Sequence, residues 1–320
     1  MTIKYKTRHF NTIKTCEDLI YLKKSSSNKD KIANEFNFLS NIPKEIEKYF
    51  PSVKNFSTSK ENSAYEIKKI HYPDFGDSII SGLVDAKHIS GILNQVEIFF
   101  SKLPKLKENE REFDKKFFEL FIQKNEDRFL LTKKMDSFSS LNKIFHSHNY
   151  KNFEEFIGIL SISIKEEFKK ITDRKLYFSH GDLCLSNMFY SPLDKNIILI
   201  DPKGYKKDIK ETYFPIYYDL AKLSHSFIGL YDFTAHDMYS IEKQQNSYEL
   251  KIKIKKSLKN LMEKSFKKFL KNMNVDFSLI RLLEATLFTS MIPLHEESQN
   301  RSMAHCLNAI KAFNDYQQNR

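Results

Sequence analysis

The sequence predicts an α+β chain with a small, β-rich N-terminal part and a larger, mainly helical C-terminal part. Up to residue 70, short apolar or alternating runs are separated by polar turns, the period-2 signature of strands. Beyond residue 81, apolar residues recur every three or four positions over long stretches, the signature of amphipathic helices. A third observation concerns chemistry. Residues 176–205, LYFSHGDLCLSNMFYSPLDKNIILIDPKGY, gather His180, Asp182, Asn187 and Asp201 around an expected hairpin.

In the N-terminal part, residues 3–5 and 10–14 are expected strands, and residues 18–24, DLIYLKK, a stronger one. A serine-rich turn follows. Residues 29–40 then read as a helix, with Ile32, Phe36 and Leu39 at i, i+4 and i+7. Residues 64–70, AYEIKKI, alternate as the last strand, and the turn-rich HYPDFG of residues 71–76 reads as a linker. This places the domain boundary between residues 1–75 and 76–320.

The helical part begins with residues 84–103, which carry Ile89, Ile92, Leu93, Val96, Phe99 and Phe100. Residues 111–123, with Phe113, Phe117, Leu120 and Phe121, and 153–168, with Phe156, Ile157, Leu160 and Ile164, continue the pattern. Residues 250–272 set nine lysines against an apolar face and are expected as a solvated helix docked on the core rather than on a membrane. Residues 282–294 and 303–316 read as closing helices. The 28 Phe and 16 Tyr fit a packed core better than a stacking platform.

In the central stretch, LYF, MFY and NIILI read as short strands, and SPLD supplies the turn. His180, Asp182 and Asn187 therefore lie in a loop and Asp201 at a strand end, all able to face one volume. Two carboxylates and an amide around one volume suit phosphoryl transfer from a metal-bound nucleoside triphosphate. One carboxylate orients the attacking hydroxyl and accepts its proton; the other, with the amide, holds divalent cations through hard oxygens. A polar hairpin on an unrelated α/β protein would use the same residues without chemistry.

The motif His-Gly-Asp-x-x-x-x-Asn from His180 to Asn187, followed by Ile-Asp-Pro at residues 200–202, resembles the aminoglycoside phosphotransferase and choline kinase group, a branch of the protein-kinase-like fold. Gly181 stands where protein kinases usually carry Arg, which favours the small-molecule branch. The resemblance implies a bilobal kinase-like fold, ATP with Mg²⁺, and transfer of the γ-phosphoryl group to a small-molecule hydroxyl. It implies Asp182 as catalytic base with His180 beside it shaping the loop, and Asn187 and Asp201 as metal ligands. Lys23 would reach the nucleotide phosphates, with Lys24 on the opposite face and Glu35 as the lysine's partner. Asp219, in YYDLAKL, resembles the family's next landmark, an acid that braces the catalytic loop; a helix N-cap is its structural use. No glycine-rich loop precedes the strand, and a polar turn at Thr7-Arg8-His9 or Asn11-Thr12 is the expected replacement. The acceptor pocket is expected on C-terminal helices, with His295, Glu296 and Arg301 as contacts. Residues 291–295, MIPLH, resemble kinase-like proteins of bacterial surface-polysaccharide pathways.

Composition narrows the reading. The net charge of +11 invites nucleic acid or a membrane surface, but 52 basic residues are spread among 41 acidic ones, so neither partner is expected. The positive excess also disfavours a cleft for a polycationic aminoglycoside, which leaves a sugar or sugar-like metabolite as the expected acceptor, ahead of choline, ethanolamine or an aminoglycoside. Cys16, Cys184 and Cys306 lack paired spacing, the first fourteen residues have no apolar h-region, and no stretch approaches 18 apolar residues. A cytoplasmic chain without disulfides, zinc or a membrane span is expected. Two other classes remain: a pseudokinase-type nucleotide- or partner-binding module, favoured by the missing glycine loop but not by the intact Asp182, Asn187 and Asp201 set, and a protein kinase.

Overall fold

The computed structural model describes residues 11–106, 110–245 and 247–320. The strand expected at residues 3–5 and the turn Thr7-Arg8-His9 lie outside them. Strands β1 (Asn11–Thr15) and β2 (Tyr21–Ser26) form an antiparallel hairpin, followed by helix α1 (Lys29–Ser40). Strands β3 (Val53–Thr58) and β4 (Ser63–Lys68) complete a four-stranded sheet of order β1-β2-β4-β3. Helix α1 starts where Asn28 caps the Lys31 N–H, and it buries Ile32, Phe38 and Leu39. Strand β3 escapes a period-2 reading. Asn55 adopts a positive φ of 54° and the register with β4 shifts between Lys54 and Ser57, so a bulge breaks the alternation.

Helix α2 (Phe75–Ile80) is capped by Asp74, so the expected boundary falls in its first turn. Next come α3 (Ala86–Lys102), α4 (Glu110–Phe118), α5 (Lys124–Thr132), α6 (Phe138–Ser147) and α7 (Phe153–Phe168), with a π-turn joining α4 to α5. Their phenylalanines fill the core. Phe117 packs on Phe121 at 4.9 Å and on Phe168 at 5.1 Å, and Phe145 stacks on Phe153 at 4.4 Å.

The central stretch forms two small antiparallel pairs: β5 (Leu176–Phe178) with β8 (Tyr213–Pro215), and β6 (Met188–Ser191) with β7 (Asn196–Leu199). Beyond lie α8 (Ile216–Phe227), α9 (Tyr231–Ala235), β9 (Tyr239–Lys243), β10 (Tyr248–Ile252), α10 (Lys256–Asn272), α11 (Phe277–Met291) and α12 (Gln299–Asn319). The β9–β10 hairpin corrects the helix expected from residue 250. YELKI alternates and pairs with YSIEK, and the helix begins only at Lys256. From there its apolar face buries Met262, Phe266, Phe269 and Leu270 as expected.

Helix α11 packs against α5, α7, α8 and α12. The segment Phe277–His295 has a mean hydropathy of 1.4, long and apolar enough by composition to cross a membrane, which corrects the expectation that no stretch comes close. It is 83% buried within the protein, as a central core helix is. Arg281 and Glu284 on α11 are fully buried and paired; Arg281 also meets Asp315 at 2.9 Å, and the Ser224 hydroxyl donates to Glu284. Removing one member strands the other's charge in the core. Arg281→Met is therefore expected to lower the unfolding free energy by about 3–5 kcal/mol in urea titrations. A loss below about 1 kcal/mol would mean the network contributes little.

Candidate active site

The site lies where the four-stranded sheet, α1 and the β6–β7 hairpin meet. Lys24 on β2 is 3% exposed, and its ammonium donates to Glu35 Oε1 at 2.6 Å and to Asp201 Oδ1 at 2.5 Å. Burial alone would push the lysine towards neutrality, but Asp201 and Glu35 together hold it protonated, above the usual lysine range. Glu35 also accepts the Tyr65 hydroxyl at 2.5 Å, and its burial lifts its pKa to about 6 despite Lys24. For Asp201 burial opposes ionisation, and Lys24 outweighs it, so the carboxyl is held below its ordinary value.

Asp201 leaves β7 in a left-handed turn, φ 55°. Gly204, φ 74°, then lets the chain run along α1; a Cβ there would lie 2.4 Å from the Asn34 carbonyl. The Tyr205 N–H donates to Asn34 O at 3.3 Å, and Lys206 pairs with Asp30 at 2.9 Å. Lys23, expected to face the phosphates, is exposed, and Lys24 is the lysine turned inward to Glu35 and Asp201. Strand parity is the reason. Lys24 lies opposite buried Tyr65 on β4, whereas Lys23 lies opposite Glu66.

The loop from His180 to Asn187 is anchored by Leu183 and Leu185, both buried, while the Asp182 side chain stays 40% exposed. Asp219 on α8 is fully buried and accepts the N–H groups of His180 at 2.9 Å and Gly181 at 2.8 Å, the bracing role expected of it. Burial lifts its pKa to about 7 against the pull of those donors. Gly181 has φ 78°, and a Cβ there would approach Lys203 Cβ to 2.7 Å. At the other end, Ser226 Oγ accepts the Leu185 N–H at 3.1 Å, and buried Asp232 faces the Ser226 hydroxyl and the Ser186 N–H.

His180 is held within the loop's own hydrogen bonding. Its Nε2 bonds to Ile200 O at 2.9 Å and its Nδ1 accepts the Asp182 N–H at 3.2 Å, so both ring nitrogens are taken by backbone. Burial lowers its pKa to about 4, which keeps it neutral. Asn187 donates Nδ2 to the Asp182 carbonyl at 2.9 Å, leaving its Oδ1 as the atom for a cation. Lys222, which sequence patterning did not single out, meets Asp182 Oδ1 at 2.9 Å. The available signal was its place one turn beyond Asp219 on the helix that braces the loop.

Among the described residues no group of three or more His, Cys, Asp or Glu side chains is placed to hold a metal ion. Asp201 and Asn187 instead offer two hard oxygen donors. That set fits Mg²⁺, which keeps waters and substrate phosphates as its other ligands. His295 and Arg301 gather near the start of α12, with Glu297 at 3.2 and 3.8 Å and Asp237 at 2.8 Å from Arg301; Glu296 is exposed. His295 lies 5.0 Å from His305, which lies 6.3 Å from Tyr231 on α9.

His180 gives the site a pH signature. It is neutral in the folded chain down to about pH 4, whereas the unfolded residue protonates near 6.5. The unfolded state therefore takes up an extra proton between these values. The residue's stabilising contribution is full above pH 6.5 and falls as pH drops through 4, by at most about 1.4 kcal/mol per unit. Urea titrations from pH 7 to 4 are expected to show one proton less uptake in His180→Asn than in the wild type. Identical slopes would contradict the buried neutral imidazole.

No family model matches the sequence, and no curated protein does either. Solved structures do. A thermostable mutant of aminoglycoside phosphotransferase APH(4)-Ia, in ternary complex with AMP-PNP and hygromycin B, aligns with a TM-score of 0.59 at 8% identity, over 100% of this chain and 95% of that one. A glucosamine kinase aligns with a TM-score of 0.53 at 8% identity, and a Plasmodium vivax ethanolamine kinase with 0.52 at 11%; each alignment covers 97% of this chain and 81% of the other. At such identities the likeness is one of fold. The chain has the α+β, bilobal, protein-kinase-like fold of these small-molecule kinases.

Proposed function

We propose that the protein is an ATP-dependent phosphotransferase that moves the γ-phosphoryl group to a hydroxyl of a small molecule, a sugar or sugar-like metabolite. The observation that carries this reading is the triad of buried Lys24 and Glu35 with partly exposed Asp201, beside a braced loop presenting Asp182. In this reading Lys24 bears on the nucleotide phosphates and Glu35 fixes its position. Asp201 and Asn187 would hold Mg²⁺, which when bound supplies positive charge against the phosphate oxygens. Asp182, half-exposed and paired with Lys222 at 2.9 Å, orients the acceptor hydroxyl and takes its proton as charge leaves that oxygen. His180 and Asp219 keep the loop in place.

The fold's relatives support the acceptor class. They include an aminoglycoside phosphotransferase, a glucosamine kinase and an ethanolamine kinase, and AMP-PNP in one complex supports ATP as donor. Free Cys16, Cys184 and Cys306 suit a reducing compartment, in keeping with a cytoplasmic enzyme.

Two substitutions separate the roles. Lys24→Met is expected to lower kcat/KM for ATP by roughly two orders of magnitude or more, whereas Lys23→Met stays within about twofold. Asp182→Asn is expected to cut kcat by roughly a thousandfold while the ATP Kd measured by calorimetry changes little. Full turnover in Asp182→Asn would refute the base assignment.

A further inference from the structure

We infer that the acceptor carries an anionic group, a carboxylate or phosphate, held by Lys124, Lys203 and Lys222 around Tyr218 beside the catalytic loop. The inference rests on the phosphotransferase reading above. Three separate elements bring these lysines together. Lys124 opens α5, donates to the Tyr218 hydroxyl at 2.8 Å, and sits 5.2 Å from the ring centre. Lys203, two residues past Asp201, lies 5.9 Å from the same ring centre and 4.4 Å from that of Phe214. Lys222 follows Tyr218 by one turn of α8, on the same face, and touches Asp182 at 2.9 Å. The Lys203 side chain also abuts Gly181, the residue next to the base.

The charges do not balance. Lys222 shares the single carboxylate of Asp182, and among the described residues no carboxylate pairs with Lys124 or Lys203. A fourth lysine nearby, Lys116, is spent on backbone: it donates to Lys210 O at 2.8 Å and Tyr213 O at 2.7 Å. The crowding is felt by its members. Burial opposes ionisation of the Tyr218 hydroxyl, and Lys124, Lys222 and Lys203 outweigh it, drawing the group down to about 8. Such a concentration of one charge destabilises the folded protein until an anion answers it.

Position decides which anion. Lys124, Tyr218 and Lys222 come from α5 and α8, whereas the lysine assigned to the nucleotide, Lys24, comes from the sheet. Lys203 is exposed and Lys124 half-buried, so the cluster is open to a ligand. An anionic group seated there would hang its neighbouring hydroxyl over Asp182. An aminated acceptor would meet three like charges at the same place.

Four hexose probes of different charge test this: glucose, glucuronate, glucose 6-phosphate and glucosamine, each with Mg-ATP and ADP release as readout. Glucuronate or glucose 6-phosphate is expected to exceed glucose and glucosamine in kcat/KM by about tenfold or more. Lys124→Met and Lys203→Met are each expected to remove most of that advantage through the probe's KM, leaving the KM for ATP in place, and Lys203→Arg to restore it. Equal or better turnover of glucosamine overturns the inference, as does an anionic advantage that survives both substitutions. A rise in the KM for ATP with no change for the anionic probe gives the lysines to the nucleotide phosphates and overturns it too. A protein that binds ATP but turns over neither anionic probe overturns this inference alone; one that binds no ATP overturns the phosphotransferase reading with it.

Discussion

A buried ammonium between two carboxylates holds the two parts of this protein in register. Lys24 and Asp201 are 177 residues apart, and Glu35 comes from a third element, so one charge cluster ties the sheet, α1 and the β6–β7 hairpin together. Neither Lys24 nor Glu35 is tolerable alone at that depth, because an unpaired buried charge costs several kcal/mol. The surrounding details serve the same contact. Asp201 turns left-handed at the end of its strand, Gly204 lets the next residues lie against α1, and Tyr65 completes the hydrogen bonding of Glu35.

Against that fixed point the loop from His180 to Asn187 forms a shelf held by backbone hydrogen bonds. Buried Asp219 accepts the N–H groups at its start, His180 ties that same end to Ile200, and Ser226 accepts the Leu185 N–H towards its other end. The loop's leucines point inward, which leaves Asp182 as the half-exposed carboxylate at its surface. Donors fixed before substrate arrives need no reorganisation during reaction, the main advantage such a shelf offers a phosphoryl transfer. The positive charge around Asp182 comes from Lys124 and Lys222 on α5 and α8 and from Lys203 beyond β7, not from the loop itself.

Local patterns carried much of this. Helices α1 and α7 have the bounds read from their apolar spacing, and the hairpin holding Asp182, Asn187 and Asp201 forms where turn residues and apolar runs put it. Non-local information was missing elsewhere. Whether Lys23 or Lys24 turns inward depends on which residues of β4 lie opposite, and two adjacent lysines give no hint of that. Strand β3 was hidden by its bulge, and the β9–β10 hairpin by lysines and isoleucines that suit a helix as well as a strand. Lys222 and Lys124 carry no motif at all. Their significance comes from convergence on Tyr218 and Asp182 in three dimensions.

The most direct measurement is Mg²⁺-dependent thermal stabilisation by ATP, in the wild type and in Asp201→Ala. At 100 times its Kd, ATP with Mg²⁺ should add about 2.7 kcal/mol to wild-type stability, with little effect when Mg²⁺ is withheld and none in the variant. An equal shift in Asp201→Ala, or no shift in the wild type, would contradict a metal–nucleotide site built on this triad.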